Sequence, residues 1–269
     1  MPGDPVATID WHASARLSAA LDRDEFVVRS HQADEAPRVV VVCDRRPAMG
    51  VYDPPFPWLS KPAALHAATQ AIVASAVAAR GDVGSIDHAG AGAPGDAYWL
   101  PPGGRGDRWL IDRRQSPETG FDAPEDTVER ALAYLGRMRS ALPSGTFLFV
   151  LSDFLAPPSL SAWLEAGARR WDVVPVVIQD PVWEQSFPDV GTVVLPIADP
   201  AGRGTRLVRL TGREARARRG ENEARLAALL GELESLGFDP LVLGSDRPEE
   251  IDDAFVRWAD LREAARWRR

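Results

Sequence analysis

Two aspartates, Asp44 and Asp153, are the residues best placed to do chemistry, because each ends a long apolar run. The first run begins at Arg38 and the second at Thr146. Paired carboxylates can bind a divalent cation such as Mg²⁺, and such a centre can serve either protein binding or hydrolysis. A site of this kind requires both carboxylates at one place, so the elements that carry them decide whether it exists.

The two runs are rich in β-branched and aromatic residues and have no polar alternation. This pattern is typical of parallel strands that are buried on both faces. Ligands of parallel sheets bind outside the carboxyl ends of the strands. The sequence therefore predicts that Asp44 and Asp153 lie together at one edge of a sheet.

Strands and helices alternate along the rest of the chain, with short connections. The predicted strands are 38–43, 146–151, 172–178 and 241–243, and 82–88, 97–100 and 108–111 are assigned to a hairpin or meander. The predicted helices are 60–80, 126–141, 159–170, 213–236 and 251–267. We expect one α/β domain over residues 1–269, with a doubly wound, mostly parallel sheet, helices on both faces and a small β-hairpin insertion at about 180–212.

The composition restricts the function classes. With a net charge of -8 and a pI near 5.1, the chain has no overall attraction to nucleic acid. The single cysteine, Cys43, lies in a predicted buried strand and fits a reducing compartment. No signal peptide or membrane span is predicted, so a cytoplasmic location is expected.

Arginines concentrate near residue 210 and at the end of the chain, where they could bind an acidic partner. They are Arg206, Arg209, Arg213, Arg216, Arg218 and Arg219, with Arg266, Arg268 and Arg269 in the tail. Interleaved Glu214, Glu221 and Glu223 favour the interpretation of a solvated helix face.

Short motifs follow one another in a distinctive order along almost the whole chain. They are Gly3-Asp4, Ile9-Asp10-Trp11, Ser14-Ala15-Arg16, the strand ending in Asp44 with Pro47-Ala48-Met49, Lys61, Leu151-Ser152-Asp153-Phe154, the hairpin at Val190-Gly191, the helix around Arg218-Arg219, and Asp239-Pro240-Leu241 before the last strand. With these motifs the sequence resembles the bacterial domain-of-unknown-function 58 family. The resemblance implies a von Willebrand factor A-like, Rossmann-type fold with residues 1–37 as an N-terminal family segment. Within that segment, Asp10, Trp11 and Arg16 either form a binding edge or hold the segment down by packing and pairing.

The resemblance also implies a metal-ion-dependent adhesion site. In von Willebrand factor A domains this site takes ligands from an Asp-x-Ser-x-Ser loop, a threonine and a further aspartate. Its matching residues here are Asp44, Thr127 and Asp153, but Arg46 and Ala48 occupy the two serine positions. One interpretation is a degenerate Mg²⁺ site. The favoured one is that Arg46 pairs with Asp44 or Asp153 as an internal cation, or that these carboxylates cap loop amides.

For function, the resemblance implies a non-enzymatic protein-binding module that partners a MoxR-type AAA+ ATPase in the assembly or maturation of other proteins. The expected contact residues are Asp44, Arg46 and Asp153. One alternative is a metal-dependent hydrolase or phosphatase that uses the same aspartates, although no general base or nucleophile can be named. Another is a scaffold whose original site is lost and whose hairpin and basic helix make the contacts.

Overall fold

The computed structural model describes residues 36–51, 58–90, 96–103, 108–138, 142–198 and 205–266. The predictions for Asp10, Trp11 and Arg16 lie outside these ranges, as do those for residues 267–269 of the basic tail.

Eight strands and seven helices are found in the described ranges. The strands are β1 Arg38–Cys43, β2 Asp82–Asp87, β3 Tyr98–Gly103, β4 Phe147–Ser152, β5 Asp172–Ile178, β6 Val193–Ala198, β7 Thr205–Leu210 and β8 Leu241–Leu243. The helices are α1 Pro47–Gly50, α2 Lys61–Ala78, α3 Arg108–Arg114, α4 Thr127–Arg137, α5 Leu160–Ala168, α6 Gly212–Ser235 and α7 Pro248–Arg266.

The main sheet has the strand order β3-β2-β1-β4-β5-β8. All neighbouring strands are parallel except β3, the outermost strand beside β2, which runs antiparallel to β2. In the centre, Cys43 of β1 is in register with Leu151 of β4. Because β1 and β4 are parallel neighbours, the residues that follow them leave the sheet at the same edge, which we call the strand-end edge.

The side chains of β1 show why this sheet is covered on both faces. Val39 and Val41 pack into a core cluster with α2 and α7, whereas Val40 and Val42 pack on the opposite face against α4, α5 and α6. Successive strand residues point to opposite faces, so an uninterrupted valine run fits only a sheet between two helical layers. The predicted doubly wound α/β fold is confirmed.

Helix α2 starts at the strand-end edge with a strong N-terminal signal. The Ser60 hydroxyl accepts a hydrogen bond from the Ala63 backbone N–H at 3.3 Å, and Pro62 lies in the first turn. A serine cap satisfies one of the unpaired N–H groups of a helix start, and proline fits the first turn because its missing N–H is not needed there. This start fixes the position of Lys61, the first helical residue.

The prediction of an extended segment at residues 108–111 is wrong, because this segment opens helix α3. The Gln115 N–H donates to the Ile111 carbonyl at 2.8 Å, and Ile111 is fully buried while its neighbour Asp112 is exposed. A short helix lets this one apolar side chain enter the core, whereas the β-forming residues Trp109 and Ile111 favoured a strand by propensity alone.

The predicted hairpin insertion is confirmed as a separate two-stranded antiparallel sheet of β6 and β7. Val208 and Leu210 pack one face of it against Phe187 and Ala215. Within the described ranges, no helix combines the length and apolar content needed to cross a bilayer.

Candidate functional site

Arg46 joins the two strand-end aspartates. Its Nη2 atom lies 2.6 Å from Asp44 Oδ2 and 2.7 Å from Asp153 Oδ1. All three side chains are buried, with at most 2% of their surface exposed. One guanidinium therefore bridges the carboxylates that emerge from β1 and β4, as the internal-cation interpretation expected.

The Asp44 carboxylate is fully occupied by donors. Arg46 Nε lies 3.0 and 2.9 Å from its two oxygens, and the Arg46 backbone N–H donates to Oδ1 at 3.0 Å. The Ser152 hydroxyl donates to Oδ2 at 2.6 Å. An ionised carboxylate offers about four lone-pair positions, and these donors leave none open.

A second cation, Lys61, holds the other side of Asp153. Its Nζ atom lies 2.8 Å from Asp153 Oδ2 and 2.5 Å from Glu184 Oε1. The Leu155 backbone N–H donates to Asp153 Oδ1 at 3.0 Å across a turn in which Phe154 takes a positive φ of 48°. We call Asp44, Arg46, Lys61, Asp153 and Glu184 the strand-end ionic cluster.

Burial and pairing compete in setting the pKa values of this cluster. Burial alone would raise the pKa of Asp153, but the Lys61 ammonium and the Arg46 guanidinium outweigh it, so that pKa lies below its usual range. Burial would lower the pKa of Lys61, yet Asp153 and Glu184 raise it. For Glu184 burial prevails over Lys61, and its pKa is raised. Asp153 and Lys61 are therefore held as a charged pair at neutral pH.

Thr127, the third predicted metal ligand, has a different partner. It begins α4 at a buried position, and its hydroxyl lies 3.3 Å from His88 Nδ1. Burial lowers the pKa of His88, which favours the neutral imidazole beside this hydroxyl. Among its described contacts, Thr127 makes no hydrogen bond to Asp44 or Asp153.

The arrangement does not fit a divalent cation. Mg²⁺ needs carboxylate oxygens that are free to coordinate it, and here both aspartates already accept from Arg46 or Lys61. In the part of the chain that the structure describes, no group of three or more His, Cys, Asp or Glu side chains could hold a metal ion. Mg²⁺ binding by Asp44, Thr127 and Asp153 stays a prediction from the resemblance.

Sequence reasoning missed a second buried network, built on Arg45. The Arg45 guanidinium is fully buried and uses all its N–H donors within one loop. Its acceptors are the carbonyls of Arg114, Ser116, Thr119 and Gly120 and the side chain of Gln115. Arg45 thus ties the end of β1 to the loop after α3, and nothing in the local sequence indicates these partners.

Asp87 at the end of β2 was also missed. Arg114 Nε donates to its Oδ2 at 2.8 Å, and Gln115 Nε2 donates to the same oxygen at 3.2 Å. A weak signal was present, since Asp87 lies near the end of a predicted strand as Asp44 does, although its strand contains Gly84 and Ser85. Glu184 of the ionic cluster had no comparable signal, because it lies in a turn after β5 and reaches Lys61 only through the fold.

Three exposed residues lie close to members of the ionic cluster, in the sequence or in space. Trp58, two residues before the α2 cap, is 66% exposed, and Leu155 beside Asp153 is also exposed. Glu125 is exposed at 3.4 Å from Arg46 Nη1. We call Trp58, Glu125 and Leu155 the strand-end surface.

The fold and this site define a doubly wound α/β domain in which an internal ionic cluster occupies the strand-end edge. The sequence matches the family described as "Protein of unknown function DUF58" over residues 1–227, and the chain belongs to that family.

Comparison with solved structures gives matches of low identity. The conserved hypothetical protein BatB from Bacteroides thetaiotaomicron is 15% identical, with a TM-score of 0.43, over 83% of this chain and 99% of that chain. An aerotolerance-related membrane protein from Bacteroides fragilis is 17% identical, with a TM-score of 0.38, over 74% and 99% of the two chains. The pilus adhesin SpaC from Lactobacillus rhamnosus GG is 12% identical, with a TM-score of 0.36, over 81% and 26%. A comparison with curated proteins gives no significant match.

Proposed function

We propose that this protein is a non-enzymatic protein-interaction module whose partner, a MoxR-type AAA+ ATPase, docks on the strand-end surface without a bridging metal ion. The observation that supports metal-free docking is the Arg46 bridge between Asp44 and Asp153. The choice of partner rests on the family resemblance. The proposal includes the cytoplasmic location expected from the sequence, where the free Cys43 would stay reduced.

Metal-free docking follows from the charge balance of the ionic cluster. A metal ion that bridges two proteins must be coordinated by one of them and keep a position open for the other. The oxygens of Asp44 and Asp153 that could coordinate it already accept hydrogen bonds from Arg46, Lys61 and Ser152. Binding energy must then come from groups that are accessible at the same edge. Trp58 is the best candidate, since exposed tryptophans are enriched among the residues that dominate interfaces.

The hydrolase or phosphatase alternative gains no support from this geometry. A catalytic carboxylate must reach a substrate or activate a water molecule. Asp44 and Asp153 are fully buried and paired with cations. The scaffold alternative, in which the hairpin and basic helix make the contacts, concerns a different surface.

The proposal is tested by measuring the affinity of the purified chain for the MoxR-type ATPase of the same organism. We expect Trp58→Ser to weaken binding by about tenfold, a loss of about 1.4 kcal/mol, because it removes a large apolar contact. Leu261→Ser is the matched control. Leu261 is similarly exposed at 69%, and its neighbour Arg262 pairs with Asp172 at the opposite edge of the sheet.

A second arm tests the metal. With the ATPase kept free of nucleotide, EDTA should leave the affinity unchanged. Loss of binding in EDTA would refute metal-free docking. If Trp58→Ser and Leu261→Ser changed the affinity for the ATPase equally, the strand-end surface would not be the docking site. Absence of any complex would reject the ATPase as partner.

A further inference from the structure

We propose a second docking surface, an apolar groove between α2 and α7 with an acidic rim, which binds a basic amphipathic helix of a partner protein. We call it the helical groove. Val39 and Phe147, at the amino ends of β1 and β4, line it. It therefore lies at the edge of the sheet opposite the strand-end surface, and it is separate from the proposed ATPase site.

Helix α2 forms one wall of the groove with small, uncharged side chains. Ala71, Ser75 and Ala79 recur at every fourth residue, which places them on one side of the helix. They leave room for another helix to approach closely. Arg80, which follows them, is two residues from Asp82 in the sequence, so this end of the wall adds no net charge.

The floor of the groove is aromatic. The ring centroids of Phe147 and Phe149 are 6.3 Å apart, and those of Phe149 and Trp258 are 6.1 Å apart. The groove has a volume of about 420 Å³, and Val256 on its α7 wall is 60% exposed. Aliphatic side chains of a partner would gain free energy by leaving water for this groove.

The rim that α7 contributes is acidic. Asp252 lines the groove beside Val256. Glu249, Asp260 and Glu263 continue the same stripe at intervals of three or four residues, and all of them are exposed. None of these four carboxylates forms an ion pair with a residue that the structure describes. Lysines or arginines of a partner would therefore find unpaired negative charges along the groove.

The nearby arginines Arg257 and Arg262 do not neutralise this stripe. Arg262 pairs with Asp172 and Asp239. Arg257 lines a separate depression beside β8, whereas the groove lies on the side of α7 that faces β4. The acidic stripe and the apolar groove thus lie side by side and can act on one ligand.

Charge also decides which occupant fits the groove. A second copy of this chain, bound about a two-fold axis, would bring the acidic stripes of two α7 helices together. Nucleic acids and anionic membranes would be repelled in the same way. A helix with aliphatic residues on one face and lysines or arginines beside them satisfies both features, and docking of a helix in a groove is a common form of recognition.

The test uses the full chain and a fluorescein-labelled peptide of leucine and lysine, arranged with the period of an amphipathic helix. One control peptide has glutamate in place of lysine, and the other has the same composition in a scrambled order. Fluorescence anisotropy should show saturable binding of the first peptide only. Failure of this peptide to bind, or equal binding of either control, would overturn the proposal.

A pair of charge reversals tests the acidic rim. Asp252→Lys/Glu263→Lys should weaken peptide binding by about tenfold or more, because two attractive charges become repulsive. The matched control is Glu232→Lys/Glu234→Lys, which changes the net charge equally at exposed positions of α6, on the other face of the sheet. This control should bind as the wild type does, and equal weakening by both variants would refute a specific acidic rim.

A serine substitution tests the apolar wall. Val256→Ser should weaken peptide binding by about threefold or more, because it removes an apolar contact. Val194→Ser makes the same change at a valine of β6 that is 56% exposed, and it should leave the affinity unchanged. If the two variants bound the peptide equally well, Val256 would not be a contact.

The location is tested on the unaltered protein by NMR, so that the result does not depend on the folding of a variant. Peptide addition should shift the resonances of Ser75, Val256 and Ala259. Shifts confined to other regions would overturn the proposal, as would sedimentation showing a dimer of this chain that Val256→Ser dissociates. Trp58→Ser should retain peptide binding whether or not it binds the ATPase, which separates this proposal from the first.

Discussion

At the scale of single residues, Arg46 determines what the strand-end edge can do. Guanidinium carries a permanent positive charge and several donors in a plane, so one side chain can satisfy two carboxylates at once. A buried ion pair need not be more stable than an apolar replacement, but removing one partner leaves an uncompensated charge. The cluster therefore sets the charge state of this edge more firmly than it sets the stability of the fold.

Replacing the internal cation by hydroxyl groups should create a metal requirement. In Arg46→Ser/Ala48→Ser, Asp44 and Asp153 lose Arg46, and we expect the free energy of unfolding in EDTA to fall by about 3 kcal/mol. Mg²⁺ at about 100 times its Kd should restore about 2.7 kcal/mol, because it would bind only the folded state. Urea unfolding with and without Mg²⁺ measures both values. Equal Mg²⁺ stabilisation of the wild type would contradict an internal cation that replaces the metal.

The lowered pKa of Asp153 predicts how stability responds to acid. In the folded state the pKa of this carboxyl is below its usual value of 3.8. Its ionised form therefore contributes to the free energy of unfolding above pH 3.8, and this contribution is lost as the pH falls through the lowered pKa. Asp153→Asn should cost about 3 kcal/mol at neutral pH, because Lys61 and Arg46 lose their shared carboxylate. Urea titrations at pH values below 3.8 should show a smaller difference in the free energy of unfolding between Asp153→Asn and the wild type. Asp252→Asn, at an exposed site on α7, is the control, and a difference that does not change with pH would refute the assignment.

At the scale of elements, the start of α2 places Lys61 within reach of the aspartate that follows β4. Ser60 caps the helix, and its backbone N–H donates to Asp246 Oδ2 at 3.0 Å. The preceding residue, Leu59, donates its backbone N–H to Asp180 Oδ2 at 2.9 Å. The helix start is therefore held by loops that follow β5 and β8, the strands on one side of the site.

The cap of α2 can be tested by removing one hydroxyl. Ser60→Ala should lower the free energy of unfolding by about 1 kcal/mol, because the Ala63 N–H loses its acceptor. Ser75→Ala, the same substitution at an exposed position inside the helix, should cost nothing, since alanine is the better helix former. Chemical denaturation of the two variants provides the comparison, and an equal loss in both would argue against a capping role.

At the scale of the whole molecule, charges buried at the ends of the parallel strands are paired within the protein. The buried aspartates at the ends of three parallel strands are each paired with an arginine or lysine: Asp44 with the nearby Arg46, and Asp87 and Asp153 with cations distant in the sequence. Pairs of this kind are screened less by solvent than surface pairs. At the strand-end edge, the charges of Asp44, Asp87 and Asp153 are therefore buried in ion pairs, whereas Trp58 is exposed to solvent.

This charge balance predicts that chelation leaves the protein intact. EDTA should not change the midpoint of thermal unfolding of the wild type, because Asp44, Asp87 and Asp153 are already paired with arginine or lysine side chains. Calorimetry with and without added Mg²⁺ makes the measurement. A lower midpoint in EDTA would show that a metal contributes to the folded state.

The sequence by itself determined the buried strands, the doubly wound arrangement, the Ser60 cap and the hairpin, because these depend on local composition and on the period of the apolar residues. It also placed Asp44 and Asp153 at one edge, since β1 and β4 could be recognised as parallel strands. It could not find helix α3, whose short apolar segment suits a strand equally well until Ile111 meets the core.

The sequence indicated Arg46 as a partner of Asp44 or Asp153, but only the tertiary structure decided that Arg46 bridges both aspartates and that Lys61 and Glu184 join them. Arg46 and Lys61 are 107 and 92 residues away from Asp153 along the chain, and Glu184 joins them from a further loop. No local pattern encodes such pairings, because they arise when the sheet brings separate strand ends together and burial makes an unpaired charge too costly to keep.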